Sequence, residues 1–196
     1  MLDVIEDSAA AQARRVDRAL ALLERTRPAH QRAALEAWIA RARTGRVARR
    51  DLSAAMFGRG LRWVTLVEVL EGGADYRVQI EGREVVRRFG RGEGMAFSRL
   101  YAADHLSRLR AFYETVTMAG YPNLRRFVAV SLAGEEMAFS QLVLPATDPE
   151  GRVARLAAVF DVPDGAVIPT APLRLHAPWR RLERGTGRET IPGDWW

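Results

Sequence analysis

Apolar residues Ile5, Ala9, Val16, Leu20 and Leu23 recur at helical spacing, and neither glycine nor proline interrupts them before Pro28, so a helix is expected over residues 5–27. A second helix is expected over residues 29–43, with Leu35, Trp38, Ile39 and Ala42 on one side and Gly45 as its terminator. From Trp63 the period changes to two. Residues 63–70 are β-rich, Gly72-Gly73 makes a turn, and residues 76–81 alternate strictly between apolar and polar, which predicts a hairpin with one face buried. A short helix through Val85, Val86 and Phe89 follows Gly82, and residues 90–94, three of them glycine, read as a flexible connection. A longer helix to about Ala119 carries Leu106, Leu109, Phe112, Tyr113 and Val116, with Asp104 placed to cap it. Three further strand-like runs, 124–132, 137–144 and 153–162, are separated by turns at Ala133-Gly134-Glu135 and Asp148-Pro149-Glu150-Gly151, so they can pair as an antiparallel meander. Beyond Asp164 proline, glycine and arginine dominate, and a tail that is partly disordered or laid across the surface is expected.

Composition narrows the chemistry. All 30 basic side chains are arginine, which excludes Schiff-base and P-loop mechanisms resting on a lysine of this chain. Cysteine is absent, which removes thiolate nucleophiles, disulfides and cysteine-built zinc sites. The hydrophobic share of 48% is enough to build a real core, so wholesale disorder is excluded. The acidic opening MLDVIEDS lacks an apolar signal region and no run approaches the ~20 apolar residues of a membrane span, so a soluble cytoplasmic protein with no membrane partner is expected. The formal charge of +6 is uneven: residues 1–50 carry +5, residues 51–163 carry 0 and residues 164–196 carry +1. The surplus on the helical stretch reads as a solvated face or as a docking surface for an acidic protein, with nucleic-acid binding by these basic helices as an alternative function.

From Trp63 to Val162 the order is two strands, short helices, one longer helix and three strands. With it come the pieces Leu35-Glu36-Ala37-Trp38, Gly45-Arg46, Arg50-Asp51-Leu52, Thr65-Leu66-Val67-Glu68-Val69, Tyr76-Arg77-Val78-Gln79-Ile80-Glu81-Gly82 and Phe89-Gly90-Arg91 with Gly94. This pattern, covering roughly residues 30 to 162, resembles the PAS domain family, specifically the small bacterial single-PAS proteins. It departs from that pattern at Arg83, where a threonine is usual after the glycine, and in lacking a proline before Arg49-Arg50. The resemblance implies an α+β fold: a PAS-like five-stranded antiparallel sheet of order 2-1-5-4-3 with helices on one face, preceded by N-terminal helices. The domains expected are an N-terminal helical extension (1–45), a PAS-like domain (46–163) and a Pro/Arg-rich C-terminal tail (164–196). It further implies a non-enzymatic sensor or interaction module in bacterial signalling that acts as a homodimer or by docking a signalling protein partner, with a small-molecule ligand in its cavity as a further mode.

Candidate residues follow from both readings. The ligand cavity is expected among Tyr76, Val78, Ile80, Phe89, His105, Leu109, Phe112, Phe127, Phe139 and Leu142, which also read as a packed core. The interaction helices would present Val16, Leu20, Leu23, Leu35 and Trp38. Haem held by His105, which shares a helical stripe with Leu109, Phe112 and Val116, and a non-covalent flavin stacked on Trp63 are the two cofactors the resemblance implies as options. For each, the plainer reading is structural: a locally hydrogen-bonded helix-edge histidine and an ordinary packing tryptophan. The glycines of residues 90–94 follow a helix rather than precede one, which contradicts a dinucleotide fingerprint. No nucleophile elbow, no H-E-x-x-H pair and no metal site is found, so no catalytic residue is expected. A small cone-shaped α+β enzyme with a site near His105 is the second alternative, weakened because Asp104 and His105, adjacent on a helix, point about 100° apart.

Overall fold

In the computed structural model, residues 9–101, 103–130, 136–163 and 179–180 are described. Helices α1 (Ala9–Arg25) and α2 (Ala29–Thr44) come first, then a 3-10 turn (Arg49–Asp51), a short α3 (Ala54–Phe57) and a second 3-10 turn (Gly58–Trp63). Strands β1 (Val64–Leu70) and β2 (Asp75–Glu81) follow, then α4 (Arg83–Phe89), α5 (Phe97–Leu100) and the long α6 (Ala103–Ala119). Strands β3 (Asn123–Val130), β4 (Glu136–Thr147) and β5 (Val153–Asp161) complete the five strands expected, and all pairings are antiparallel. The order β2-β1-β5-β4-β3 is the 2-1-5-4-3 order that the resemblance implied, so the fold is PAS-like. Of residues 164–196, expected as an irregular tail, Trp179–Arg180 forms a short β6 paired antiparallel with β3, and the rest lies outside the described residues.

Period-two alternation divides the sheet into two faces, and both are covered. One face carries Val67, Tyr76, Val78, Met137, Phe139, Val143, Leu156 and Phe160, closed over by Val85 and Phe89 of α4, Phe97 and Leu100 of α5, and Leu109, Phe112, Tyr113 and Val116 of α6. The other carries Val64, Leu66, Leu142, Leu144, Ala146, Ala157 and Val159, against Val16 and Ala19 of α1 and Leu35, Trp38, Ile39 and Ala42 of α2. The helical pair is therefore part of the core, and the expected boundary at residue 45 does not separate two packing units. Specific bonds reinforce that packing. Trp38 Nε1 donates to the Pro145 carbonyl at 2.8 Å, and Gln31 Nε2 donates to the Val159 carbonyl at 2.8 Å while its Oε1 accepts from Ser140 Oγ at 3.2 Å. Gln12 Nε2 donates to the Ala42 and Arg43 carbonyls at 2.9 and 3.0 Å, so α1 supplies partners to carbonyls at the end of α2.

The residues joining β2 to α4 follow from close backbone approach. Gly82 N–H donates to the Val64 carbonyl at 2.7 Å, and a Cβ on Gly82 would lie 2.3 Å from the Arg62 carbonyl oxygen, so no larger residue fits. The glycine-rich connection expected to be flexible runs along the β2 edge instead. Gly94 N–H donates to Val78 O at 2.8 Å, Val78 N–H to Met95 O at 3.0 Å, and Gly92 N–H to Glu81 Oε2 at 2.6 Å. Among the described residues, no helix is long and apolar enough to cross a membrane.

Candidate functional site

The space between the sheet and α4–α6 is where the cavity was expected, and among the described residues aromatic rings pack closely within it. Phe89 lies 5.0 Å from Phe139 and 5.1 Å from Phe160, ring centre to ring centre; Phe139 lies 5.3 Å from Phe127, and Phe127 5.7 Å from Phe112. A second group joins Tyr76, Phe97 and Tyr113 at 5.1–5.5 Å. These separations are those of packed aromatic pairs, so this interior reads as core. Tyr76, Val78, Phe89, Leu109, Phe112, Phe127 and Phe139 are brought together there.

Two members of the expected set are elsewhere, for reasons of parity. Leu142 is buried on the opposite face, against the N-terminal helices, because it is three residues from Phe139 and a strand sends odd-numbered steps to opposite sides. Ile80 is 53% exposed. The β1–β2 register passes from Leu66↔Ile80 to Val67↔Val78, leaving Gln79 as an extra residue. That bulge turns Ile80 onto the face of Leu66, while Glu81 turns back to meet Gly92. His105 belongs to α6, but its side chain and that of Asp104 lie outside what is described, as does His176.

Several polar groups inside this aromatic core are paired, whereas Thr65 Oγ1 on β1 is buried with no hydrogen-bond partner among the described residues. Gln141 Nε2 donates to Tyr113 Oη at 2.9 Å, Tyr76 Oη lies 3.2 Å from Thr117 Oγ1, and Thr117 Oγ1 donates to the Tyr113 carbonyl at 3.0 Å. Burial pushes the Tyr76 phenol up to about 12, outweighing the opposing effect of its hydrogen bond with Thr117. Gln141 was not singled out by the sequence reading. Its signal was there, because a glutamine between Phe139 and Val143 at steps of two must share their inward face.

Trp63, the residue considered for flavin stacking, is engaged by its own chain. His30 stacks on it at 6.0 Å and the Arg88 guanidinium carbon lies 4.5 Å from its ring centre, with Arg88 Nη1 donating to Glu84 at 2.7 Å. His30 Nε2 is also 2.8 Å from the Phe160 carbonyl, so this histidine has a structural partner. Among the described residues no group of three or more histidine or acidic side chains is placed to hold a metal ion. Of the interaction-helix set, Val16, Leu35 and Trp38 are buried in the chain's own core, and Leu20 and Leu23 are half-buried beside it.

A second concave region lies outside this interior. It is an open cleft of about 670 Å³ formed by the segment after α2, the β4–β5 turn and Arg155 of β5. Arg46, Arg49, Arg50 and Arg155 line it, with Asp148 as the one acidic side chain among its described walls. No sequence pattern marks it, since its two stretches, residues 46–50 and 147–155, are nearly 100 positions apart.

No family model matches this sequence, and no curated protein does. Solved structures are similar at a distant level. The blue-light photoreceptor Aureochrome1 LOV domain in its light state is 11% identical, with 58% of this chain and 90% of that one covered and a TM-score of 0.41. A light-oxygen-voltage domain studied with a flavin analogue is 12% identical over 52% of this chain and 77% of that one, TM-score 0.38. A sensory box histidine kinase/response regulator from Burkholderia thailandensis is 9% identical over 58% and 83%, TM-score 0.34.

Proposed function

We propose that this chain is a non-enzymatic PAS-type module of a signalling system, working by association with a second copy of itself or with a signalling protein. The observation that carries this reading is the sheet order β2-β1-β5-β4-β3 with α4–α6 over one face. The ring-packed interior favours association over a large internal cofactor. With Val16, Leu35 and Trp38 buried, the accessible part of the proposed interaction helices is the Leu20 and Leu23 side of α1 and the polar outer surface around it.

Light scattering of the purified protein across a concentration series, together with an absorption spectrum, tests the reading. The expected result is a colourless dimer that dissociates on dilution and is weakened by Leu20→Asp. A monomer at every concentration would overturn self-association, and a haem or flavin spectrum would overturn the association-only reading.

A further inference from the structure

The arginine-lined cleft lies on the sheet face that carries α1 and α2, so it is separate from the interior between the sheet and α4–α6. Its arginines come from two stretches, residues 46–50 and β5, that the fold draws together beside the β4–β5 turn. Thr147 N–H donates to the Val47 carbonyl at 2.9 Å and Ala48 bridges to Thr147, which seats residues 46–50 on the end of β4. Asp51 fixes the turn itself, accepting from Ala48 N–H at 2.8 Å and from the Arg41 guanidinium. Arg46 lies against Gly151, where φ is +86° and a Cβ would sit 2.6 Å from Arg46 Nη1.

The charge inside the cleft is lopsided. Asp148 is committed to Arg152, accepting from its backbone N–H at 2.8 Å and its Nε at 3.0 Å. Among the described residues, neither Arg49 nor Arg50 forms an ion pair with a carboxylate. Arg155 donates from Nη2 to Gln79 Oε1 at 2.7 Å, while its Nε is buried with no hydrogen-bond partner. Burial and the Arg49 charge both hold the Arg155 cation below its usual pKa, against a smaller opposite pull from Glu68. Several guanidiniums around one volume repel one another, and a multiply charged anion placed between them turns that repulsion into attraction. Guanidinium forks match phosphoryl oxygens two at a time, which a point-like ammonium does not. The volume falls within the roughly 300–1,000 Å³ of small-molecule sites, and among the described walls no aromatic ring is present to grip a base.

We propose that this cleft binds a compact anion with two or more phosphoryl groups, such as inorganic pyrophosphate or the diphosphate portion of a nucleotide, with Arg49, Arg50 and Arg155 on the phosphoryl oxygens and Arg46 at the Gly151 wall. The site stands whether or not the chain associates through α1.

Calorimetric titration of inorganic pyrophosphate into the full chain, at about 50 mM salt where screening is weak, tests it. Saturable binding at one site per chain is expected, weakened roughly tenfold or more by Arg155→Gln and by the Arg49→Gln/Arg50→Gln pair. The Arg83→Gln/Arg87→Gln pair removes the same charge from α4 and is expected to leave binding unchanged. Gly151→Ala alters no charge but displaces the Arg46 guanidinium, and is expected to weaken binding; thermal melts of each variant confirm that it is folded. Absence of saturable binding overturns the proposal, as does an equal loss in the two double variants, which would mean general attraction to a basic protein. Orthophosphate binding as tightly as pyrophosphate would overturn the two-phosphoryl reading. A short DNA duplex that displaces pyrophosphate at lower concentration would make the occupant a nucleic acid instead.

Discussion

The hydrogen bond between Gln141 and Tyr113 illustrates how a single polar pair inside an aromatic core is constrained. Both residues are nearly inaccessible, and the Gln141 amide nitrogen has the Tyr113 hydroxyl as its partner at 2.9 Å. Removing the Tyr113 hydroxyl takes from the buried Gln141 amide nitrogen the acceptor it has there, whereas removing both groups leaves an apolar pair. Tyr113→Phe is therefore expected to cost about 1–3 kcal/mol in urea unfolding, and Gln141→Leu a smaller amount. The double variant is expected to be more stable than the sum of the two predicts, and strict additivity would show that the bond contributes nothing. At this scale the sequence was partly readable. The inward parity of Gln141 could be counted along β4, but its partner on α6, 28 positions earlier, could not.

At the scale of elements, the sheet and its helices were legible because each run kept one period long enough to declare itself, from the α1 stripe to the alternation of β2. What did not show was the bulge at Gln79, since one extra residue leaves the apolar–polar pattern of residues 76–81 intact while rotating everything after it. The same strand supplies a sharp comparison. Val78 is buried against the α4–α6 side, whereas Ile80 is 53% exposed on the other. Ile80→Asp is expected to change stability by no more than about 0.5 kcal/mol, while Val78→Asp, which puts an unpaired carboxylate into the core, is expected to cost about 3 kcal/mol or more. Equal losses in chemical denaturation would mean that strict alternation, and not the bulge, describes β2. The covering of the second face by α1 and α2 was also illegible. An amphipathic helix states that it has an apolar side, and not whether its own sheet or another molecule meets that side. Trp38 supplies the answer through its bond to Pro145, a contact across 107 positions.

Over the whole molecule, charge organises the junctions between elements, and this sets how the fold responds to acid. The sequence could place most of the positive surplus in residues 1–50, but only the fold could bring Arg46, Arg49 and Arg50 beside Arg155. Three carboxylates hold such junctions together, and a fourth braces a helix. Asp51 ties the turn after α2 to Arg41, Asp75 ties β2 to Arg110 of α6 at 3.3 Å, Glu84 clasps Arg88 within α4 at 2.7 Å, and Asp148 closes the β4–β5 turn on Arg152. For Asp51, Asp75 and Asp148 burial alone would raise the pKa, but the hydrogen bonds and arginine charges around them outweigh it; for Glu84 the Arg88 bond leads. All four are held below their ordinary range. A carboxyl group whose pKa is lower in the folded chain contributes its full stabilisation above the unfolded value, and loses it as pH falls through the folded value. Stability is accordingly expected to be level from neutral pH down to about 5 and to fall below about pH 4, where the unfolded chain takes up protons that the folded one resists. Every arginine stays charged through that range, so net positive repulsion grows in step and steepens the fall. Asp51→Asn should lower the melting temperature at pH 7 and flatten part of the acid slope, because the group responsible for that part no longer titrates. A melting temperature that instead rises on acidification would contradict the role assigned to these four carboxylates.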